Sequence, residues 1–191
     1  SYDNALEIYN ASQKAKRIIS RLSNLSRKGV PGEPRPVRLD PLAAQVLEVA
    51  APARPKNVRV ETGFAAGDGL ILGDETQLFQ LTLNLVLNAF EALSAQGGTV
   101  RVSTAARGGR VTLRVADNGP GVPDEVKAQI FDPFFTTKGS GKGIGLGLAI
   151  VQQIVEAHGG AISLDSAQGQ GTAFTVSFPA APPEGEGPPP A

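Results

Sequence analysis

The 191-residue sequence contains no cysteine and only one histidine. Without cysteine, the chain forms no disulfide, holds no thiolate-bound metal and uses no cysteine nucleophile, and a single histidine cannot build a zinc site. Basic and acidic side chains are equal in number, with 18 of each. Because no net charge attracts the chain to a polyanion, binding to nucleic acid is not expected.

Long hydrophobic runs are also missing. No stretch approaches the roughly 18 to 20 consecutive apolar residues of a membrane span. The N-terminal residues SYDNALEIYN lack the basic and then apolar pattern of a secretory signal. We therefore expect a cytoplasmic location and no membrane contact by this chain, although a longer protein containing it could be anchored. The 41% of apolar residues is enough for one packed domain with appendages.

Glycine and proline indicate how the chain is divided. Residues 1–29 are predicted to form a long helix, because apolar residues recur at spacings of three and four and neither proline nor glycine interrupts it before Gly29. The prolines that follow predict a linker at 30–36, and the composition of 180–191 predicts a disordered tail. Residues 37–179 remain as the main domain. The apolar seam of the helix consists of Ile8, Ala11, Ala15, Ile18, Leu22 and Leu25.

The main domain is predicted to have an α+β fold, a two-layer sandwich of a mixed β-sheet and about three helices. A doubly wound fold would require a helix after nearly every strand, and none is predicted between Thr99 and Asp117. Helices are expected from Asp40, as an N-cap, to about Ala51, from Glu75 to Ser94 after an Asp74 cap, and from Leu146 to His158. Strands are expected at Val58–Glu61, Leu70–Leu72, Thr99–Thr104, Arg110–Ala116, Ala161–Asp165 and Thr172–Phe178.

Five glycines between Gly139 and Gly147 directly precede the last helix. Such segments commonly bind phosphate, because backbone N–H groups are exposed and the helix N-terminus carries a partial positive charge. The cluster is not a P-loop, since Thr136 and Gly143 occupy the places of its first glycine and its Ser or Thr. It is not a dinucleotide fingerprint either, because no strand precedes it.

Two further polar features accompany the glycines. Asn84 and Asn88 share one face of a leucine-rich helix, where buried amides need a polar partner such as a ligand or a hydrated cation. The sequence Asp117-Asn118-Gly119-Pro120-Gly121 ends a strand in a tight turn, where a flat ring could approach the glycine backbone closely. A second glycine turn precedes Thr172.

Taken in order, these segments resemble the ATP-binding domain of sensor histidine kinases. NLVLNAFEA is similar to the N box, DNGPG to the first glycine box, FDPFFTTK to the F box, GIGLGL to the second glycine box and GQGTAF to the third. The resemblance covers about residues 36 to 179 and places the chain in the GHKL ATPase superfamily, which has the Bergerat fold. The N-terminal helix resembles the second helix of the kinase dimerisation domain.

The resemblance implies a site for ATP and Mg²⁺. Asn88 matches the magnesium ligand, Asn84 supports the phosphate side, and Glu91 acts through metal or water. Asp117 matches the residue that accepts from the adenine amino group, with Gly119 and Gly121 closing on the ring. Thr172 lies near the adenine. The triphosphate is expected to contact a lid at about 136–143 and the residues around it, namely Thr137, Lys138, Gly141, Lys142, Gly143, Ile144, Gly145, Leu146 and Gly147, with Lys138, Lys142 and Asn88 serving catalysis.

The implied activity is transfer of the γ-phosphoryl group of ATP to a histidine that this chain lacks, followed by relay to the receiver domain of a response regulator. The expected partners are a histidine-bearing dimerisation domain and, in the full-length protein, a second copy. His158 is not expected to accept phosphate, since it lies at a helix end where a cationic side chain meets the negative end of the dipole. A nucleotide-binding pseudokinase and another GHKL ATPase, such as a clamp or a serine kinase, remain alternatives. In the gyrase and Hsp90 branches a glutamate that activates water stands in the place of Asn84, so hydrolysis is the less expected reaction.

Overall fold

The computed structural model describes residues 34–135 and 146–182. The helix predicted for residues 1–29, and most of the predicted tail, lie outside these ranges. Within them the α-helices are α1 (Leu39–Ala50), α2 (Glu75–Ala92) and α3 (Gly147–Ala157), with short 3₁₀ helices at Ala51–Ala53 and Asp124–Val126. The strands are β1 (Arg35–Arg38), β2 (Val58–Ala65), β3 (Leu70–Gly73), β4 (Gly98–Arg107), β5 (Arg110–Asp117), β6 (Ala161–Ala167) and β7 (Gly171–Pro179).

Five of the strands form one mixed sheet in the order β2-β4-β5-β7-β6. β2 and β4 are parallel, and α2 lies in the connection between them; the other three pairs are antiparallel. β1 and β3 form a separate antiparallel pair. The α+β prediction, with three helices against a mixed sheet, is confirmed.

The alternation of side chains along β5 explains why the domain has two layers. Val111, Leu113 and Val115 are buried, whereas Arg110 and Arg114, which alternate with them, are exposed. One face of the sheet therefore packs against the helices, and the other faces solvent. The helical layer supplies the apolar counterpart, with Leu78, Leu81, Leu85, Val86, Ala89 and Phe90 of α2 all buried.

The start of α2 confirms the predicted cap, because the Asp74 carboxylate accepts hydrogen bonds from the N–H groups of Thr76 at 2.9 Å and Gln77 at 3.1 Å. The start of α1 corrects a prediction. Asp40 is not the N-cap; Arg38 occupies that position, without a side-chain cap. The Asp40 carboxylate accepts instead from the N–H groups of Ala66 and Gly67. This side chain therefore connects α1 to the turn after β2.

Strand β1 was not predicted, and it begins at Arg35 within the stretch expected to be linker. Pro36 is compatible with it because β1 pairs on one side only, with β3, and proline is tolerated on edge strands. The other strands were predicted in the correct places, although β2 extends four residues beyond Glu61. Among the helices of the described ranges, none is both long and apolar enough to cross a membrane.

Candidate nucleotide-binding site

Helix α2 brings the two predicted asparagines against the beginning of α3. The Asn84 amide donates to the Gly147 carbonyl oxygen over 3.5 Å, which is a long hydrogen bond. A Cβ atom at Gly147 would lie 3.7 Å from Oδ1 and 3.8 Å from Nδ2 of Asn88. Both asparagines are half-buried. The polar face of α2 therefore meets the N-terminus of α3, which begins within the second glycine box.

Asp117 ends β5 on the inner face of the sheet, directly opposite Thr172 of β7. Its carboxylate accepts a hydrogen bond from the Gly119 N–H at 2.9 Å. Burial raises the pKa of Asp117, while the backbone N–H groups of Gly119 and Thr172 act in the opposite direction by stabilising the charged form. A partly desolvated carboxylate of this kind gains from a further hydrogen-bond donor.

The glycines around Asp117 are required by close contacts. At Gly119 a Cβ atom would lie 2.8 Å from Oδ1 of Asp117 and 3.6 Å from the Cβ atom of Ala92. Gly121 has φ +73° and leaves no room for a Cβ atom beside the Ala167 carbonyl oxygen. The turn after β5 therefore lies against the C-terminal end of α2, one turn beyond Asn88.

These contacts connect the two parts of the predicted site through α2. Asn84 and Asn88 lie beside Gly147, and the end of the same helix lies beside Gly119 and hence Asp117. Glu91, which is half-buried, stands between the two parts. The described residues predicted for adenine and for metal are thus brought to one side of the domain.

Several predicted residues lie outside the described ranges, namely Thr137, Lys138, Gly141, Lys142, Gly143, Ile144 and Gly145. Leu146 is described and its side chain is buried in the core. Its carbonyl oxygen accepts from the Ile150 N–H, which leaves its backbone N–H as the group suited to an anion. In the F box, Phe131 packs edge-on against Phe174, with ring centroids 6.3 Å apart.

His158 follows α3, as predicted, but its predicted charge is wrong. Its Nδ1 lies 2.7 Å from the Ile154 carbonyl oxygen, and its Nε2 accepts from the Asp74 N–H at 3.0 Å. Because Nε2 accepts, the ring is the neutral tautomer with hydrogen on Nδ1. His158 therefore joins the end of α3 to the N-cap of α2, and both of its nitrogens are occupied.

Replacing His158 with leucine is expected to lower the free energy of unfolding by about 1–3 kcal/mol, because the Asp74 N–H loses its imidazole acceptor in a packed environment. Urea denaturation measures the change. Gln153→Leu is the matched control, because Gln153 is exposed on α3. Equal stability of the His158 variant and the control would contradict the structural role of the imidazole.

Two residues at this end of the sheet were missed by the sequence analysis. The Ser166 hydroxyl accepts from the Val122 N–H and donates to the Gly171 carbonyl oxygen, both at 2.8 Å. Asn118 Oδ1 accepts from the Thr99 N–H at 2.7 Å. The Asp-Asn-Gly turn could have indicated Asn118, since asparagine often bonds to nearby backbone in turns. Ser166 carries no such signal.

Comparison with known proteins identifies the family of this domain. Residues 73–182 match the family of histidine kinase-, DNA gyrase B- and HSP90-like ATPases. The match covers more than half of the chain and includes both asparagines, Asp117 and Thr172. The chain belongs to this family, as a histidine kinase ATP-binding domain.

Individual relatives give the same result. The chain is 45% identical over 124 residues to the sensor histidine kinase ZraS of Salmonella typhimurium. The aligned segment covers 63% of this chain and 26% of ZraS. It is 33% identical to full-length ShkA, solved in complex with AMPPNP, with a TM-score of 0.77 over 95% of this chain and 38% of ShkA. It is 25% identical to histidine kinase ThkA, solved in complex with the response regulator protein TrrA, with a TM-score of 0.72 over 91% of this chain and 50% of ThkA. The chain therefore spans about a quarter of the length of ZraS.

Proposed function

We propose that this chain is the catalytic part of a two-component sensor kinase, which binds ATP with Mg²⁺ and transfers its γ-phosphoryl group to a histidine of a dimerisation domain. The observation that carries the proposal is the arrangement along α2. One end of the helix borders Asp117 and its glycine turn, and its middle borders the start of α3 through Asn84 and Asn88. A nucleotide with its base at Asp117 and its phosphates towards Gly147 fits this arrangement.

The base end suits adenine. The Asp117 carboxylate already accepts a hydrogen bond from the Gly119 N–H and has lost part of its water. An exocyclic amino group supplies the additional donor, and a hydrogen bond to a charged group contributes about 1.5–3 kcal/mol. Guanine would place a carbonyl oxygen against the carboxylate, so adenine is preferred.

The phosphate end suits a hydrated divalent cation. Asn88 offers a neutral amide oxygen, a ligand type that Mg²⁺ accepts together with water and nucleotide phosphates. It lies beside the N-terminus of α3, where the helix dipole favours negative charge. When bound, the cation would neutralise phosphate charge, while Asn84 and the N-terminus of α3 orient the phosphate chain. Lys138, Lys142 and the other glycine-box residues are proposed phosphate contacts by resemblance alone.

Transfer is favoured over hydrolysis because of the residue type at position 84. Asn84 carries an amide where the hydrolytic branches carry a water-activating glutamate, and an amide is not a useful base. The domain would act by positioning and charge neutralisation, as is usual in phosphoryl transfer. ThkA, the relative solved with a response regulator protein, supports relay to such a regulator. A homodimer of the full-length protein is part of the same proposal.

The proposal is tested by supplying the missing acceptor. The chain alone is not expected to label itself with γ-³²P-ATP, because His158 uses both ring nitrogens in holding α2 and α3 together. It is expected to label a separately supplied dimerisation domain that bears a histidine, and the measurement is acid-labile, base-stable phosphate on that domain. The same domain with its histidine replaced by glutamine is the control.

Two outcomes would contradict the proposal. Label on His158 of the isolated chain would show that the chain contains its own acceptor. ATP binding without transfer to any supplied histidine domain would favour the pseudokinase alternative, and release of inorganic phosphate at the same rate with and without that domain would favour an ATPase.

A further inference from the structure

The Ser166 hydroxyl on β6 has three partners near the base end of the site. It accepts from the Val122 N–H at 2.8 Å, contacts the Gly171 carbonyl oxygen at 2.8 Å and lies 3.0 Å from Oγ1 of Thr172. A hydroxyl has one hydrogen and two lone pairs. The hydrogen-bonding capacity of Ser166 is therefore fully used.

The direction of each of these bonds follows from the partners. The Gly171 carbonyl can only accept, so the single Ser166 hydrogen is directed to it, and the Val122 N–H can only donate. The contact with Thr172 is then a hydrogen bond only if Thr172 donates to Ser166. With the opposite polarity, Ser166 and Gly171 would place oxygen lone pairs against each other at 2.8 Å.

This polarity determines what Thr172 presents to a ligand. Its only hydroxyl hydrogen is directed to Ser166, so the remaining capacity of Oγ1 is that of an acceptor. Thr172 is buried and lies opposite Asp117, on the same inner face of the sheet. The Asp117 carboxylate is also an acceptor. The two side chains therefore form a pair of neighbouring acceptors, and neither offers a donor.

We propose that Ser166 determines base specificity as a positioning residue, because it holds the Thr172 hydroxyl hydrogen away from the ligand. The base site then receives an edge that carries an exocyclic amino group and rejects an edge with a carbonyl oxygen at that place. This inference rests on the proposed function, in which the base lies at Asp117. It adds a residue that touches no part of the nucleotide and acts only through Thr172.

A purely structural role for Ser166 makes a different prediction. Loss of its bonds to Val122 and Gly171 would weaken the turn after β5, and with it the affinity for every nucleotide in the same proportion. Loss of the hydrogen bond between Thr172 and Ser166 would instead change the preference between nucleotides. The Thr172 hydroxyl could then rotate and donate to a carbonyl oxygen of the base. The ratio of two affinities separates these roles.

The experiment compares ATP with inosine triphosphate, which carries a carbonyl oxygen where ATP carries the amino group. Calorimetric titration with Mg²⁺ gives Kd for each nucleotide and the wild-type chain, Ser166→Ala, Ser166→Thr and Ser163→Ala. We expect the preference for ATP to fall about tenfold in Ser166→Ala. Ser166→Thr, which retains a hydroxyl, and Ser163→Ala, which alters an exposed serine of the same strand, should keep the wild-type ratio.

An unchanged ratio in folded Ser166→Ala, with the wild type still preferring ATP, overturns this inference and leaves the proposed function intact. If Ser166→Ala does not fold, the same two Kd values are measured for Thr172→Val, which removes the Thr172 acceptor without supplying a donor. The preference for ATP must then fall, and an increased preference would show that Thr172 donates to the base. A wild-type chain that binds neither nucleotide overturns the proposed function and this inference together.

Discussion

Replacing Asp117 with asparagine is expected to abolish the preference for ATP over GTP while leaving the fold intact. The amide oxygen can still accept from the Gly119 N–H, but the amide NH₂ replaces the charged acceptor that the adenine amino group needs. Loss of a hydrogen bond to a charged group corresponds to about a 10- to 150-fold weaker affinity for ATP. Calorimetric titration with each nucleotide in the presence of Mg²⁺ measures the change.

The raised pKa of Asp117 explains why Asp117→Asn should not lower the free energy of unfolding. Burial raises the pKa of Asp117 in the folded chain above its value in the unfolded chain. The contribution of Asp117 to the free energy of unfolding is therefore fully present below the unfolded pKa and is lost as the pH rises through the folded pKa. At neutral pH the ionised carboxylate is therefore unfavourable for folding, and a neutral amide removes that charge. The melting temperature without nucleotide should not decrease.

Asp165→Asn is the matched control for this substitution, because Asp165 is an exposed carboxylate on β6 of the same sheet. It should bind ATP as the wild type does. If the wild-type chain bound ATP and GTP equally, or if Asp117→Asn kept the full preference for ATP, Asp117 would have no part in recognising the base.

The second large effect is expected for Asn88→Asp, which keeps the size of the side chain and adds a negative charge. Next to the N-terminus of α3, that charge would repel phosphate and change how a cation is shared between protein and nucleotide. Phosphoryl transfer to a supplied histidine domain should fall about a hundredfold or more. Stability should change little, because Asn88 is only half-buried.

Gln153→Glu provides the control, since it adds the same charge at an exposed position of α3. Transfer rates are measured with labelled ATP, and stability is measured by urea denaturation. An unchanged rate of phosphoryl transfer in Asn88→Asp would show that Asn88 has no part in binding the cation. A large loss of stability would assign the effect to folding and contradict the role in metal binding.

The architecture could be predicted from the sequence because each of its signals is local. Asp74 caps α2 by accepting from Thr76 and Gln77, both within the first turn, and the alternation along β5 fixes which face is buried. Asp40 was misassigned because its partners are distant in sequence. Its carboxylate reaches the backbone 26 and 27 residues further on, and a local pattern does not distinguish that contact from an N-cap.

The candidate site residues were chosen by motif, and their roles stay predictions. The structure brings Asn84, Asn88 and Asp117 together along α2. The neutral state of His158 depends on the Asp74 N–H, 84 residues away. The role of Ser166 depends on counting hydrogen-bond partners from two separate turns. Neither feature follows from spacing along the chain.

The unpredicted strand β1 has a mechanical consequence. Arg35, its first residue, pairs with Gly73, the last residue of β3. One peptide bond further on is Asp74, which caps the helix that carries both asparagines. A force applied at Arg35 would therefore act first on the β1–β3 pair and next on the N-terminus of α2. Force entering the domain at Arg35 has a short path to the asparagine face of α2.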